Sequence, residues 1–250
     1  MAECGGSVLV GSMKVTPGGV VLACSAAIST AVAVAMLGTA VGGQRQVAID
    51  EIDVGRINVR EEDGRLRLVV SNQDRFPGLL FRGKEHPHPN RKTAGFLFFN
   101  EEQTENGGLI FDGRKVDGQV TSGGHLSFDR YEQDQVIHIT HDEVGEQRGA
   151  VFAVNDYPEG SLDPSVWEKA DAMPAGPAKD AEMKRLRELY SGKRRLQLGR
   201  RGDNSTRLAI SDAAGRPRLV LEVAPDGASA IRFLDESGKV VRTVTPAADR

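Results

Sequence analysis

The sequence predicts a mainly β protein: antiparallel hairpins in a meander, interrupted by a short helical insert, behind one N-terminal transmembrane or signal helix. Three observations predict it. Apolar and polar residues alternate with period two through most of the chain after Gln44, as in strands with one buried and one wet face. A turn signature of acid, glycine and basic residue between apolar runs is written three times, in "VREEDGRLRLVV" (Val59–Val70), "ISDAAGRPRLVL" (Ile210–Leu221) and "FLDESGKVVRTV" (Phe233–Val244). Finally, a charge-free run, "VVLACSAAISTAVAVAMLGTAV", spans Val20–Val41 ahead of all of it.

The chain has 250 residues, enough for one large domain or two small ones without a metal or disulfide staple. A net charge of -3 with interspersed signs offers no basic stripe, so no nucleic-acid partner is expected. Both cysteines, Cys4 and Cys24, precede residue 45. The polar remainder therefore has no disulfide, Cys-ligated zinc site or thiol nucleophile, and no cofactor is expected.

Residues 1–17 read as a tail and 18–43 as the apolar helix. About 20 apolar residues cross a hydrocarbon core, so a single-pass anchor fits, with residues 20–41 in the membrane. A cleaved signal peptide is the competing reading, because Gly38-Thr39-Ala40 has a small-x-small form. It would leave a secreted or periplasmic product. Lys14 before the run and Arg45, Arg56 and Arg60 after it set opposing orientations. The layout of one apolar segment before one polar body favours an extracytoplasmic β-rich region.

Residues 46–155 read as a β domain. "INVREEDGRLRLVV" is a hairpin about Asp63-Gly64, and "GFLFFNEEQTENGGLIF" is a second, with its tip ending at Asn106-Gly107-Gly108. Further strands are expected near Leu126–Phe128, Gln135–Thr140 and Ala150–Val154. Residues 156–192 carry Pro158, Pro164, Pro174 and Pro177 and read as a linker with helices. Asp163-Pro164 caps a short helix through Trp167. A longer helix is expected over Lys179–Ser191, supported by Asp180 four residues before Lys184 and ended by Gly192. From 193 to 247, glycines at 202, 215, 227 and 238 mark a β-meander, either continuous with the first β region or separate.

Chemistry is sparse. "FRGKEHPHPNRKTAG" is the most unusual stretch, and Arg82, Lys84, Glu85, His86, His88 and Asn90 form a candidate ligand-contact loop. His86 and His88 would project to one side of an extended backbone, but Pro87 and Pro89 favour a rigid surface loop over a metal site. His138 and His141 should point to opposite faces of a strand. Glu101, Glu102 and Glu105 read as a solvated hairpin tip, without calcium-loop spacing. Asp129, Glu132 and Asp134 could supply paired carboxylates for acid–base work only if they face one another. Arg201-Gly202-Asp203 sits where a turn is due, and Asn204-Ser205-Thr206 has the form of a glycosylation acceptor. No nucleophile elbow, phosphate loop or metalloprotease helix is present, so an enzyme is not the favoured class.

The stretches "RINVREEDGRLRLVVSN", "ENGGLIF" and "YEQDQ" resemble a group of uncharacterised bacterial proteins with an apolar N-terminal segment and no known activity. The resemblance implies an exported or membrane-anchored setting and transfers no site residue. Two functions are expected. The first is an envelope-associated binding or structural protein whose sheet meets an unknown partner, with homo-oligomerisation covering exposed edges. The alternative is an envelope glycan-binding protein or glycan-acting enzyme using the 82–90 loop. Convergence of Glu85 or His86 with Glu105 or Asp134 in one pocket would favour the alternative.

Overall fold

The computed structural model describes residues 47–88 and 91–246. The helix expected over 18–43 lies outside the described residues, and no described helix is long and apolar enough to cross a membrane. Residues 47–52 are exposed and irregular; among the described residues, every regular element falls in the unit Asp53–Arg250.

Seven hairpin turns in that unit, at 61–65, 100–104, 130–134, 201–205, 212–216, 224–228 and 235–239, close in the same way. The first N–H donates to the fifth carbonyl, and the fourth N–H donates to the first carbonyl. The fourth residue is left-handed in six of them, Gly64, Gln103, Asn204, Gly215, Gly227 and Gly238, whereas at 130–134 it is the third, Glu132. Glycine takes this conformation without a Cβ clash, and asparagine tolerates it. The acid of the repeated signature is the cap. Asp212 Oδ1 accepts from the N–H groups of Ala214 (3.0 Å) and Arg216 (3.1 Å), and Asp235 does the same for Ser237 and Lys239. At 201–205 the left-handed residue is Asn204, not the expected Gly202.

The large sheet contains β1 (Arg56–Arg60), β2 (Leu66–Ser71), β5 (Ala94–Phe99), β6 (Glu105–Val116), β7 (Gln119–Asp129), β8 (Gln135–Val144), β9 (Gln147–Asp156), β10 (Lys193–Arg200), β11 (Thr206–Ser211), β12 (Pro217–Val223), β13 (Ser229–Leu234) and β14 (Val240–Val244), and these turns close β1–β2, β5–β6, β7–β8 and each successive pair from β10 to β14. All twelve form one antiparallel sheet in that order, so the two β portions of the sequence belong to a single sheet joined at β9–β10. Two insertions interrupt the meander. A small hairpin, β3 (Leu79–Phe81) and β4 (Lys84–His86), follows β2; helices α1 (Pro164–Asp171) and α2 (Pro177–Tyr190) lie between β9 and β10.

Several expectations need correction. The Asn106-Gly107-Gly108 stretch is strand, and the β5–β6 tip is 100–104. Gly107 is needed because its backbone (φ 121°) lies so close to β7 that a Cβ would sit 2.3 Å from the Ser127 carbonyl. Strands β6 to β9 run well beyond the predicted segments, closing on Asp117-Gly118, both left-handed, and on Gly145. Helix α1 starts as expected, with Asp163 accepting from the Ser165 N–H at 2.9 Å. Helix α2 ends differently: Ser191 turns extended, and Gly192 leaves room for the Tyr157 ring, which a Cβ would meet at 2.7 Å. Lys184 lies 3.8 Å from Glu188, not beside Asp180.

Residues opposed across a ladder share a face, so the registers define two sheet surfaces. One carries two apolar rows. The first runs Ile57, Val70, Phe96, Leu109, Leu126, Ile139, Phe152, Leu198, Leu208, Leu221, Ile231, Val244; the second runs Val59, Leu68, Phe98, Gly107, Phe128, Ile137, Val154, Leu196, Ile210, Leu219, Phe233, Arg242. No side chain in either row is buried. The other surface carries the inserts and the small core, where Val69 and Leu97 meet Leu66, Phe99, Leu80 of the β3–β4 hairpin and Phe76.

Candidate functional site

Hairpin β3–β4 turns through Arg82 (φ 48°) and Gly83 (φ 75°), a two-residue turn whose paired left-handed residues match strand twist. This makes Lys84–His86 a strand, where the sequence suggested a rigid proline loop. Arg82 anchors it. Its guanidinium makes two 2.6 Å bonds to the buried Glu132 carboxylate, and its N–H donates to Thr104 Oγ1 at 2.9 Å. The guanidinium holds Glu132 below the usual carboxylate range.

Alternation then separates the candidates. Lys84 is exposed, and Glu85 caps its own hairpin by accepting from the Gly78 N–H at 2.7 Å. His86 points the other way. It is 5 % exposed, and its Nδ1 lies 2.6 Å from Glu168 Oε1 on α1. Asn90 lies outside the described residues.

His86 lines a cleft of about 440 Å³ between the small hairpin, the β7–β8 turn and the helices. Three aromatic rings share it: Tyr157 after β9, Trp167 on α1 and Tyr190 at the end of α2, the last two with centroids 6.1 Å apart. Polar groups rim it, namely His88, Asp134, Glu168, Asp171 and Arg187. The insert is tied in place through its backbone: the Leu162 N–H donates to the Glu132 carbonyl at 2.7 Å, and the Arg130 guanidinium donates to the carbonyls of Tyr157 and Pro158.

A smaller cavity of about 160 Å³ adjoins this cleft, sharing Leu79, His88, Asp134 and Leu162 with it. Here Glu105, Asp129, Glu132 and Asp134 come together beside Arg91. Glu105 is thus not part of a solvated tip: its side chain is only 14 % exposed and is bonded twice by the Arg91 guanidinium, at 2.8 and 2.5 Å. Glu101, by contrast, stays on the surface, 2.9 Å from Arg67.

Burial governs the electrostatics of this corner. It raises the Glu105 carboxyl against the pull of Arg91. It also pushes Asp129 up to about 8, with the charges of Glu105 and Asp134 adding to the rise, and Asp129 Oδ1 has no hydrogen-bond partner. A neutral Asp129 beside ionisable carboxylates is an arrangement that can donate a proton near neutral pH. The Tyr157 phenol is raised by burial and by Asp134 and Asp129, so it remains a donor. His88 is lowered by burial and by Arg91.

His86 and Asp134 therefore meet in one cavity, and Glu105 and Asp134 in the next, whereas Glu85 joins neither. Sequence reasoning missed the three aromatics. The one usable signal was composition, since Trp167 is the single tryptophan and sits where the chain changes from strand to helix.

A second groove, also about 440 Å³, lies on the same sheet surface over β9–β12, lined by Arg194, Gln197, Arg201 and Arg207 above Gly199 and Ala209. His138 borders it through Arg194, while His141 is on the apolar surface, as period two requires. The Arg201-Gly202-Asp203 tripeptide is a hairpin turn. No protein-family model matches the chain, and no curated protein matches it.

Proposed function

We propose that the protein binds a hydroxyl-rich ligand, a saccharide of the bacterial envelope, in the cleft formed by β3–β4, the β7–β8 turn and the helices. The observation that carries this reading is the lining: Trp167, Tyr157 and Tyr190 beside Asp134, Glu168, Asp171 and Arg187. A sugar has apolar C–H faces and a rim of hydroxyls. Aromatic rings receive the first, and carboxylates and a guanidinium receive the second through charge-assisted hydrogen bonds. The uncharged run at 20–41 supports placement at the envelope.

A second reading, glycan hydrolysis, draws on the adjoining carboxylates. Asp129 would serve as the acid, and Glu105 or Asp134 as the second carboxyl group.

Trp167 is the only tryptophan, so its fluorescence reports the cleft directly. Titration of the full chain with diacetylchitobiose should shift its emission and saturate. Asp134→Asn should weaken that response at least tenfold, while Lys84→Ala leaves it unchanged. A flat emission with neutral and amino-sugar disaccharides alike would sink the binding reading. Chromatography of the same mixtures for released monosaccharide, with Asp129→Asn as control, decides between binding and hydrolysis.

A further inference from the structure

The two apolar rows are the largest anomaly in the molecule. They cross all twelve strands, and Phe128 (49 % exposed), Ile139 (50 %), Leu198 (45 %) and Phe233 (40 %) stand open to water. Contiguous apolar patches beyond a few hundred Å² are not normal on a soluble monomer. We infer that this surface is the interface with a second copy of the same chain, the two sheets packing face to face.

Three observations select that occupant. The first is area. Twelve strands at about 4.8 Å spacing make the surface about 58 Å long, and two rows occupy roughly 14 Å of strand length. That is about 800 Å² per copy, the size of a standard stable interface. A helix of the 22 residues at 20–41 would be about 33 Å long and about 10 Å wide, too small to cover even half of the surface.

The second is charge. The rows contain no ionisable residue from β1 through β13, with Arg242 on the edge strand as the sole exception. An isologous contact can therefore form without placing like charges together. The third is the border. The Glu143–Arg148 ion pair (2.9 Å) and Arg200 lie on the same surface just beyond the rows. A flat bilayer would press these charges into hydrocarbon, whereas a partner of equal width leaves them at a wet rim. Twisted sheets pack this way about 10 Å apart with interdigitating side chains.

Site-specific photocross-linking tests the assignment on the full chain in cells. A benzoylphenylalanine at Ile139 should give an adduct of twice the chain mass, and the same probe at Thr140, on the opposite surface, should not. Adding Phe128→Glu to the Ile139 probe should reduce the adduct at least tenfold while Trp167 emission stays native. Adducts confined to one chain at residues 20–41, adducts of lipid mass, or no adduct would each overturn the inference.

A different observation carries a second site. The groove over β9–β12 gathers three arginines, and no carboxylate is among its lining residues. Arg207 Nε is buried without a partner, and Glu222, opposite Arg207 in the ladder, lies 3.4 Å from Arg232 instead. Arg194 reaches only the His138 ring nitrogen, at 3.4 Å, and Arg201 stands 3.9 Å from Asp203. A buried N–H such as that of Arg207 Nε is ordinarily satisfied. We propose that this groove binds a phosphoryl oxyanion, which guanidinium forks match in shape and charge. Inorganic pyrophosphate at constant ionic strength should raise the melting midpoint of the full chain saturably. Arg194→Gln and Arg207→Gln, verified as folded by their Trp167 emission, should weaken that response at least tenfold. No response in the wild type, or an equal one in both variants, would reject the site.

Discussion

Replacing Asp129 by Asn should leave stability unchanged near pH 4 and raise it increasingly toward pH 8. The folded-state carboxyl titrates at about 8, against 3.8 for the free side chain. Between those values the folded protein holds a proton that the unfolded chain has released. Stability must then fall as pH rises. The contribution is fully present below about 4 and lost as pH passes 8. Asparagine copies the shape of the protonated acid and does not titrate, so the variant keeps what the wild type loses. The slope for one proton is about 1.4 kcal/mol per pH unit, which makes the difference at pH 8 several kcal/mol. Melting midpoints of both proteins at pH 4, 6 and 8 measure it. Glu105 is raised in the same sense and stays in the variant, so some slope persists. Parallel curves across the range would show that Asp129 is ionised in the folded protein and would remove its role as a proton donor.

Leu97→Ala should destabilise the fold by about 2–5 kcal/mol. Leu97 is 1 % exposed and packs with Leu66, Val69, Leu80 and Phe99 in the cluster that holds the β3–β4 hairpin against the sheet. That cluster is small, so few neighbours can relax into the space left behind. The same truncation at Val241, 62 % exposed on the edge strand, should change stability by less than about 0.5 kcal/mol. Urea denaturation of the two variants gives the comparison. Loss at Leu97 should also blunt the Trp167 response to saccharide, because the hairpin carries His86 and His88 into the cleft.

The meander was legible because its turns are chemical. Asp212, Asp235 and the left-handed glycines after them leave a sequence signature independent of the rest of the fold. Two of the repeated stretches also carry paired arginines, Arg65 with Arg67 and Arg216 with Arg218. Arg65 and Arg67 contact Asp63 and Glu101, while Arg216 and Arg218 contact Asp212, so they serve the turns and not a ligand surface. The outer halves of β6–β9 were hidden because "GRKVDGQVTSGG" has no apolar alternation; backbone pairing alone builds those strands. The cleft was hidden for another reason. Glu105, Asp129 and Asp134 meet only because ladders bring adjacent hairpin ends together, and Trp167 joins them through an insertion whose docking has no local code.

Strand order in the large sheet follows chain order without a crossover. Each new strand therefore finds its neighbour among residues just made, and only short loops must close before pairing begins. Such a sheet can grow from its first hairpin in step with synthesis, each strand templating the next. The exceptions are the two insertions, which must wait: β3–β4 contacts Glu132 some 50 residues later, and His86 meets Glu168 some 82 residues later. The cleft must therefore wait for the helices, and is assembled on strands that are already paired as far as β9.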